Sequence, residues 1–323
     1  MNKRVLVAEI SGKRGGGLKA RPTENFNIKY DHLIISNNSE NYETEWQIIN
    51  VPEDYRQWYC QNEKISDKAY FAPMNRSYAI KYAKENGYDY LIQLDDNITV
   101  LGVGYQIEED GITKKYLFQK ATTTEICKND LVNDIIDALI TVLENTNAGM
   151  AGLNMAGAAV PDDHFLSERF CYSFFALKLS VCPDCFQGDF EDDIEYRLRL
   201  SKKNIPAVQI CSLRYGKTAQ GGTKDLSGCR KAYAEVGVKR GENMRRLYGD
   251  VYSAGLSKNG NKAASYKHDG TKYFKHKLKP VKVGVKIHDK QAIEDMMNYI
   301  LEKYAEEKPD KYKFEIIENQ KQG

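Results

Sequence analysis

No apolar run in this chain approaches the ~20 residues that a membrane-spanning helix needs. Lys3 and Arg4 precede an apolar stretch at residues 5–10, but Glu9 interrupts it and it is too short for a signal peptide. A disulfide framework is also missing: the seven cysteines are odd in number and scattered, which is the usage of reduced thiols in a cytoplasm. Net charge is nearly absent, at +2, so the total selects no class of partner. There is no internal repeat and no low-complexity tract, although the last third is polar and lysine-rich. The glycine-rich loop after the first apolar run is not a Walker loop, because no Gly-Lys-Ser/Thr opens a helix behind it. These absences leave a cytoplasmic globular chain. Its 323 residues can bury a substantial core as one large α/β domain or two smaller ones.

The most informative stretch is residues 75–98. Ala79, Ile80 and Ala83 share one face at helical spacing, Asn75 can cap the first turn, and Gly87 can supply the left-handed stop. Residues 90–94 then read as a buried central strand. Asp95, Asp96 and Asn97 follow at its carboxyl end, where open α/β sheets bind ligands. Adjacent carboxylates repel unless a cation or donor lies between them. A divalent metal bridging Asp95 and Asp96 to a diphosphate is one reading, and a solvated turn is the plainer one.

Upstream, residues 5–10 read as a first strand running into Ser11, Gly12 and a loop with Lys13, Arg14, Gly15, Gly16, Gly17, Lys19 and Arg21. Such a loop can approach and neutralise a phosphate, or be an ordinary surface loop. Residues 31–38 and 46–52 read as the second and third strands, which predicts a mostly parallel sheet with crossovers. Residues 100–118 predict a hairpin beside the site, residues 129–145 a helix, and residues 149–159 a small-residue pocket lining. Residues 169–179 read as a strand.

A second acidic cluster, Asp189, Glu191, Asp192, Asp193 and Glu195, precedes a helix carrying Ile194 and Leu198 at i, i+4. Helix capping needs one or two of these acids, and the excess points to a catalytic base. Residues 207–213 read as another strand, leading to a basic loop with Arg214, Lys217, Gly221, Gly222 and Lys224 that can close over a substrate. From Ser227 the chain reads as helical to Tyr248, then as a lysine-rich region with Tyr266, Tyr273 and Phe274 interleaved, a composition that suits nucleic acid or plain solvated surface. Residues 291–307 predict a final amphipathic helix. Cys182 and Cys185 form a lone pair, without the second pair or histidines that structural zinc requires.

The succession of strand, polar loop, two strands, Asn-Arg helix and apolar strand into Asp95-Asp96 resembles the nucleotide-sugar half of GT-A glycosyltransferases. Phe190-Glu191-Asp192 before an amphipathic helix resembles their second acidic motif. MNRSYAIKYAKENGYDYLIQLDDNI is most similar to the TET-associated glycosyltransferases, phage and bacterial enzymes thought to act on hydroxymethylated pyrimidines in DNA. The resemblance implies a GT-A, Rossmann-like sheet flanked by helices over residues 1–225. It also implies a helical, basic extension over 226–323 near the acceptor. It implies an inverting, metal-dependent transfer from a UDP-sugar to a hydroxymethylpyrimidine in DNA. Ser11, Arg14, Asn37, Asn75, Arg76, Asp95, Asp96 and Lys217 would bind the donor. Asp96, Asp95 and Asn97 would hold Mn2+ or Mg2+, and Asp192, or Glu191, would be the base. Asn97 departs from a third aspartate, and no histidine follows Asp192 before His268. A saccharide or protein acceptor, a nucleotidyltransferase and a non-enzymatic nucleic-acid-binding protein stay open, as does oligomeric state.

Overall fold

The computed structural model describes residues 3–63, 72–109, 113–122, 130–155, 166–188, 191–217, 241–257, 273–279 and 281–304. In chain order the elements are β1 (Val5–Ser11), a 3-10 turn (Pro22–Asn25), β2 (Asp31–Ser36), β3 (Gln47–Asn50), α1 (Glu53–Glu63), α2 (Ala72–Glu85), β4 (Tyr90–Asp95), β5 (Ile98–Glu109), β6 (Thr113–Thr122), α3 (Leu131–Glu144), β7 (Met150–Met155), β8 (Leu166–Glu168), β9 (Phe174–Lys178), α4 (Asp192–Lys202), β10 (Ala207–Lys217), α5 (Glu242–Tyr248), β11 (Tyr252–Ser257), β12 (Tyr273–Leu278) and α6 (Lys290–Tyr304). No helix among the described residues is long and apolar enough to cross a membrane.

One large sheet runs in the order β3-β2-β1-β4-β9-β7-β10-β5-β6, with β8 paired to β10. The strands from β3 through β4 are all parallel. β9 is antiparallel to β4 and β7, and β7 and β10 are parallel again. β5 and β6 form an antiparallel hairpin against β10. Only β5, β8 and β9 oppose the common direction, so the sheet is mostly parallel.

Both faces are covered, which is why β4 is buried from Tyr90 to Leu94. Tyr90, Ile92 and Leu94 join the buried cluster beneath α3 and α6, while Leu91 joins the one beneath α2 and α4. Period-two side-chain alternation divides β1 the same way: Val5 and Val7 face the first cluster, Leu6, Ala8 and Ile10 the second. Each large aliphatic side chain buried here contributes roughly 1.5–3 kcal/mol. From the end of the chain, Ile293, Met297, Ile300 and Leu301 of α6 enter the same core as Leu131, Ile135 and Leu139 of α3.

Several sequence expectations shift. α2 begins at Ala72, so Asn75 lies inside the helix and is not its cap. Residues 150–155 form the buried strand β7, where a pocket lining was expected; residues 156–159 lie outside the described set. β10 continues to Lys217, which places that lysine on a strand end. The hinge glycines Gly221 and Gly222, residues 227–240 and His268 lie outside the described residues. The extension, read as helical, also contains the antiparallel pair β11–β12.

Candidate active site

The carboxyl ends of β1, β2 and β4 meet the first turns of α2. Thr23 fixes the turn after β4: its hydroxyl donates to Asp95 O at 2.6 Å and accepts from Ile98 N at 2.9 Å. Asp95 is engaged by two cations, Arg76 Nη2 on Oδ1 at 2.6 Å and Lys217 Nζ on Oδ2 at 3.1 Å. Burial works to raise its pKa, but Lys217, Arg76 and the Ser173 hydroxyl outweigh this and bring it down to about 2. Asp96 is 6% exposed; its Oδ2 accepts from Ser11 Oγ at 2.7 Å and forms an ion pair with Arg14 Nε at 3.0 Å. Burial, helped by the charge of Asp95, pushes Asp96 up to about 6 against the pull of Arg14 and Ser11. Asn97 is 8% exposed, and its Oδ1 is buried without a hydrogen-bond partner.

Arg76 joins the two acidic motifs. Its Nε donates to Asp192 Oδ2 at 2.7 Å while Nη2 holds Asp95 and Nη1 reaches Gln93 Oε1 at 3.2 Å. Gln93 returns a hydrogen bond from Nε2 to Arg76 O at 3.1 Å. Asn75, one residue earlier, donates to Ser11 O and to Asn37 Oδ1, both at 3.0 Å. The structure thus brings Ser11, Arg14, Asn37, Asn75, Arg76, Asp95, Asp96, Asn97, Lys217 and Asp192 into one connected neighbourhood.

The loop before α4 is held from three sides. Tyr59 donates to Gly188 O at 2.8 Å, Glu63 accepts from Gly188 N at 2.9 Å, and Glu195 accepts from Gln187 N at 3.0 Å. Glu191 is the N-cap residue, with left-handed φ of 61° and no side-chain cap hydrogen bond, and α4 begins at Asp192. The acids divide by environment. Glu195 is structural, also accepting from Arg199 Nε at 3.0 Å and Tyr248 OH at 2.7 Å. Asp192 faces Arg76. Asp193 is pushed up to about 8 by burial and by the neighbouring charges of Asp192 and Glu191. Asp189 and Phe190 lie outside the described residues.

Arg21, read from the sequence as a phosphate neutraliser, is fully buried and builds the loop instead. It donates to Arg14 O and Gly16 O, both at 2.6 Å, and to Glu43 O at 3.2 Å, and it stacks over Tyr42. Arg14 is the loop cation that reaches the carboxylates. Sequence reasoning missed Thr23, Tyr42, Gln93 and Ser173. Gln93 left a signal, a lone polar residue inside an apolar central strand. Ser173 left none: its hydroxyl accepts from Lys217 at 2.7 Å and its carbonyl from Asp95 N at 2.8 Å. Cys182 and Cys185 are separate packing thiols. Cys182 donates to Gly149 O at 3.0 Å, and Arg199 donates to Cys185 Sγ at 3.8 Å.

Among the described residues no group of three His, Cys, Asp or Glu is arranged to hold a metal ion. The oxygens fit one in part. Asn97 Oδ1 is buried without a partner, and the Ser11 and Arg14 contacts of Asp96 both fall on Oδ2. Hard oxygen donors of this kind suit Mg2+ or Mn2+ sharing its shell with substrate phosphates. Asp95, the third expected ligand, already has both oxygens engaged by Arg76 and Lys217.

No protein-family model matches the chain, and no curated protein matches it. Among solved structures it is similar to glucosyl-3-phosphoglycerate synthase from Mycobacterium tuberculosis, solved with Mn2+, uridine diphosphate and either glucosyl-3-phosphoglycerate or phosphoglyceric acid. The identity is 8%, the coverage 88% of this chain and 90% of that one, and the TM-score 0.40. It is also similar to A197 from STIV, at 13% identity over 66% of this chain and 84% of that chain, with a TM-score of 0.31. Likenesses this distant assign no activity.

Proposed function

We propose that the chain is a GT-A-type glycosyltransferase that moves a sugar from a nucleotide sugar, with a UDP-sugar as the expected donor, to a hydroxyl acceptor. The observation that carries this reading is Arg76, which ties the acidic end of β4 to the acidic start of α4, 97 positions later in the chain, through Asp95 and Asp192. Breaking an anomeric bond builds negative charge on the leaving diphosphate, and Arg14, Arg76 and Lys217 converge where that charge would be neutralised. Ser11, Asn37 and Asn75 would position the nucleotide. A divalent ion, held by Asp96 and Asn97, would supply further Lewis-acid neutralisation of the diphosphate. Asp192 would take the proton from the acceptor hydroxyl in an inverting displacement, with Glu191 beside it.

For the acceptor we propose a hydroxymethylated pyrimidine in DNA, with residues 1–225 carrying the donor chemistry and 226–323 serving the acceptor. Support comes from the resemblance of residues 74–98 and from Lys277, Lys279, Lys282, Lys286 and Lys290, all exposed. Lysines so placed suit a phosphate backbone. The test is release of nucleoside diphosphate from nucleotide sugars in the presence of hydroxymethylated duplex, unmodified duplex or oligosaccharide. Asp192→Asn should abolish release while leaving the melting temperature within a few degrees. Turnover near the unmodified rate in that variant would remove Asp192 as the base. Release with oligosaccharide alone would replace the DNA acceptor.

A further inference from the structure

Three cations surround the acidic turn, and they are held unequally. Arg76 uses Nε, Nη1 and Nη2 on Asp192, Gln93 and Asp95. Lys217 is tied both to Asp95 and to the Ser173 hydroxyl. Arg14 has a single side-chain anchor, the 3.0 Å ion pair from Nε to Asp96 Oδ2. Among the described residues its Nη1 and Nη2 have no hydrogen-bond partner, and 21% of the side chain is open to solvent. The backbone around it is fixed without the guanidinium. Lys13 N donates to Asn38 O at 2.9 Å, Arg14 N donates to the Tyr42 hydroxyl at 3.3 Å, and Arg14 O accepts from the buried Arg21 at 2.6 Å. The Arg14 side chain can therefore swing while its loop stays in place.

Charge decides what can approach this turn. In the free protein Asp95, Asp96 and Asp192 are matched by Arg76, Lys217 and Arg14. Arg14, seated on Oδ2, repels a divalent cation that approaches Asp96 alone. Asp96 in turn repels a diphosphate that approaches Arg14 alone. Arriving together, the two ligands let both side chains change partners at little cost. A guanidinium grips phosphate oxygens through two parallel N–H groups, and Arg14 has those groups to offer. We infer that Arg14 is an exchangeable counter-ion of Asp96, which holds that carboxylate in the free protein and passes to the donor diphosphate as a divalent cation takes its place. The inference rests on the nucleotide-sugar reading above and gives Arg14 a second duty within it, as a positioning residue for Asp96. Metal and nucleotide then bind as one unit, each raising the affinity of the other by the same factor. A cation that merely bridged Asp96 to the diphosphate would show the same coupling with or without Arg14. An exchangeable counter-ion makes part of the coupling vanish when it is removed.

The experiment is titration of the full chain with Mn2+, with and without UDP, followed by the electron paramagnetic resonance signal of unbound Mn2+. Titration at a pH well above the value of about 6 to which burial raises Asp96 favours its ionised form. Wild type is compared with Arg14→Gln, Arg14→Met and Lys19→Gln, Lys19 being an exposed lysine of the same loop. Wild type should bind Mn2+ at least about tenfold more tightly with UDP than alone. Both Arg14 variants should bind Mn2+ alone about tenfold more tightly than wild type does, because a competing cation is gone. UDP should then tighten Mn2+ by a smaller factor than in wild type. Lys19→Gln should match wild type. Unchanged or weaker Mn2+ binding in the Arg14 variants, or an equal gain in Lys19→Gln, overturns the inference and leaves the glycosyltransferase reading standing. Arg14 variants whose melting curves show no folded protein make Arg14 a structural residue and overturn it as well. Failure of Mn2+ to bind either alone or with UDP overturns both.

Discussion

Replacing Arg76 with alanine tests the link between the acidic motifs without any substrate. Arg76 is 5% exposed, and its guanidinium makes charge-assisted hydrogen bonds of 2.6 Å and 2.7 Å to carboxylates on two elements. Removing one partner of a buried ion pair typically costs 3–5 kcal/mol, because the other charge is left without compensation. Asp95 keeps Lys217, so the loss should lie near the lower end, about 3 kcal/mol. Asp192→Asn keeps an oxygen for Arg76 Nε and should cost only about 1 kcal/mol. In the Arg76→Ala/Asp192→Asn double variant one orphaned charge is gone, so its loss should fall short of the sum of the single losses by about 1–2 kcal/mol. Urea denaturation of the four proteins in one buffer measures each quantity. Strictly additive losses, or an Arg76→Ala variant within about 0.5 kcal/mol of wild type, would refute the reasoning.

Other expectations follow from the same geometry. Asp193 has its pKa raised from the ordinary aspartate value to about 8, so the folded state retains a proton that the unfolded chain loses near pH 4. Its contribution to stability is full below about pH 4 and is lost as pH rises towards 8; Asp193→Asn should therefore melt above wild type at pH 8, with the gap closing by pH 4. Lys217→Ala removes one of two cations on Asp95 and should weaken nucleoside diphosphate binding roughly tenfold by calorimetry, with Arg76 still in place. Asn97→Asp places a charge at a buried position and should lower the melting temperature of the free protein while enlarging the rise produced by Mn2+ with nucleotide, both read by thermal shift. Gly188 has φ of +79°, and a Cβ there would meet the Asn243 side chain, so Gly188→Ala should cost more than 1 kcal/mol in chemical denaturation.

The strands that carry the site were legible because their physics is local. Val5 to Ile10 and Tyr90 to Leu94 are apolar runs buried on both faces, and each ends in a polar residue at the sheet's carboxyl edge. The helical reading that ends at Tyr248 matches α5, whereas the β11–β12 pair and α1 were less legible. In α1 only Tyr59 and Glu63 are buried, so no apolar stripe marked it. The antiparallel direction of β9 was invisible because side-chain alternation is the same in either direction. Within the site, Asp95, Asp96 and Asp192 announced themselves as excess charge, whereas their partners were set by tertiary contacts. Arg21 and Arg14 look equivalent in the loop sequence, yet one is entirely buried as a scaffold and the other reaches Asp96. Asn75 could cap a helix by type, but α2 starts three residues earlier and frees its amide for Ser11 and Asn37.

The most direct test of the account is a thermal-shift panel of nucleotide sugars, each with Mn2+ and with chelator. A ligand that binds only the folded state raises the melting temperature by mass action. The account predicts a rise with at least one nucleotide sugar, larger with Mn2+, and lost in Asp96→Ala. A rise with nucleoside triphosphates but with no nucleotide sugar would contradict it and point to nucleotidyl transfer at the same carboxylates.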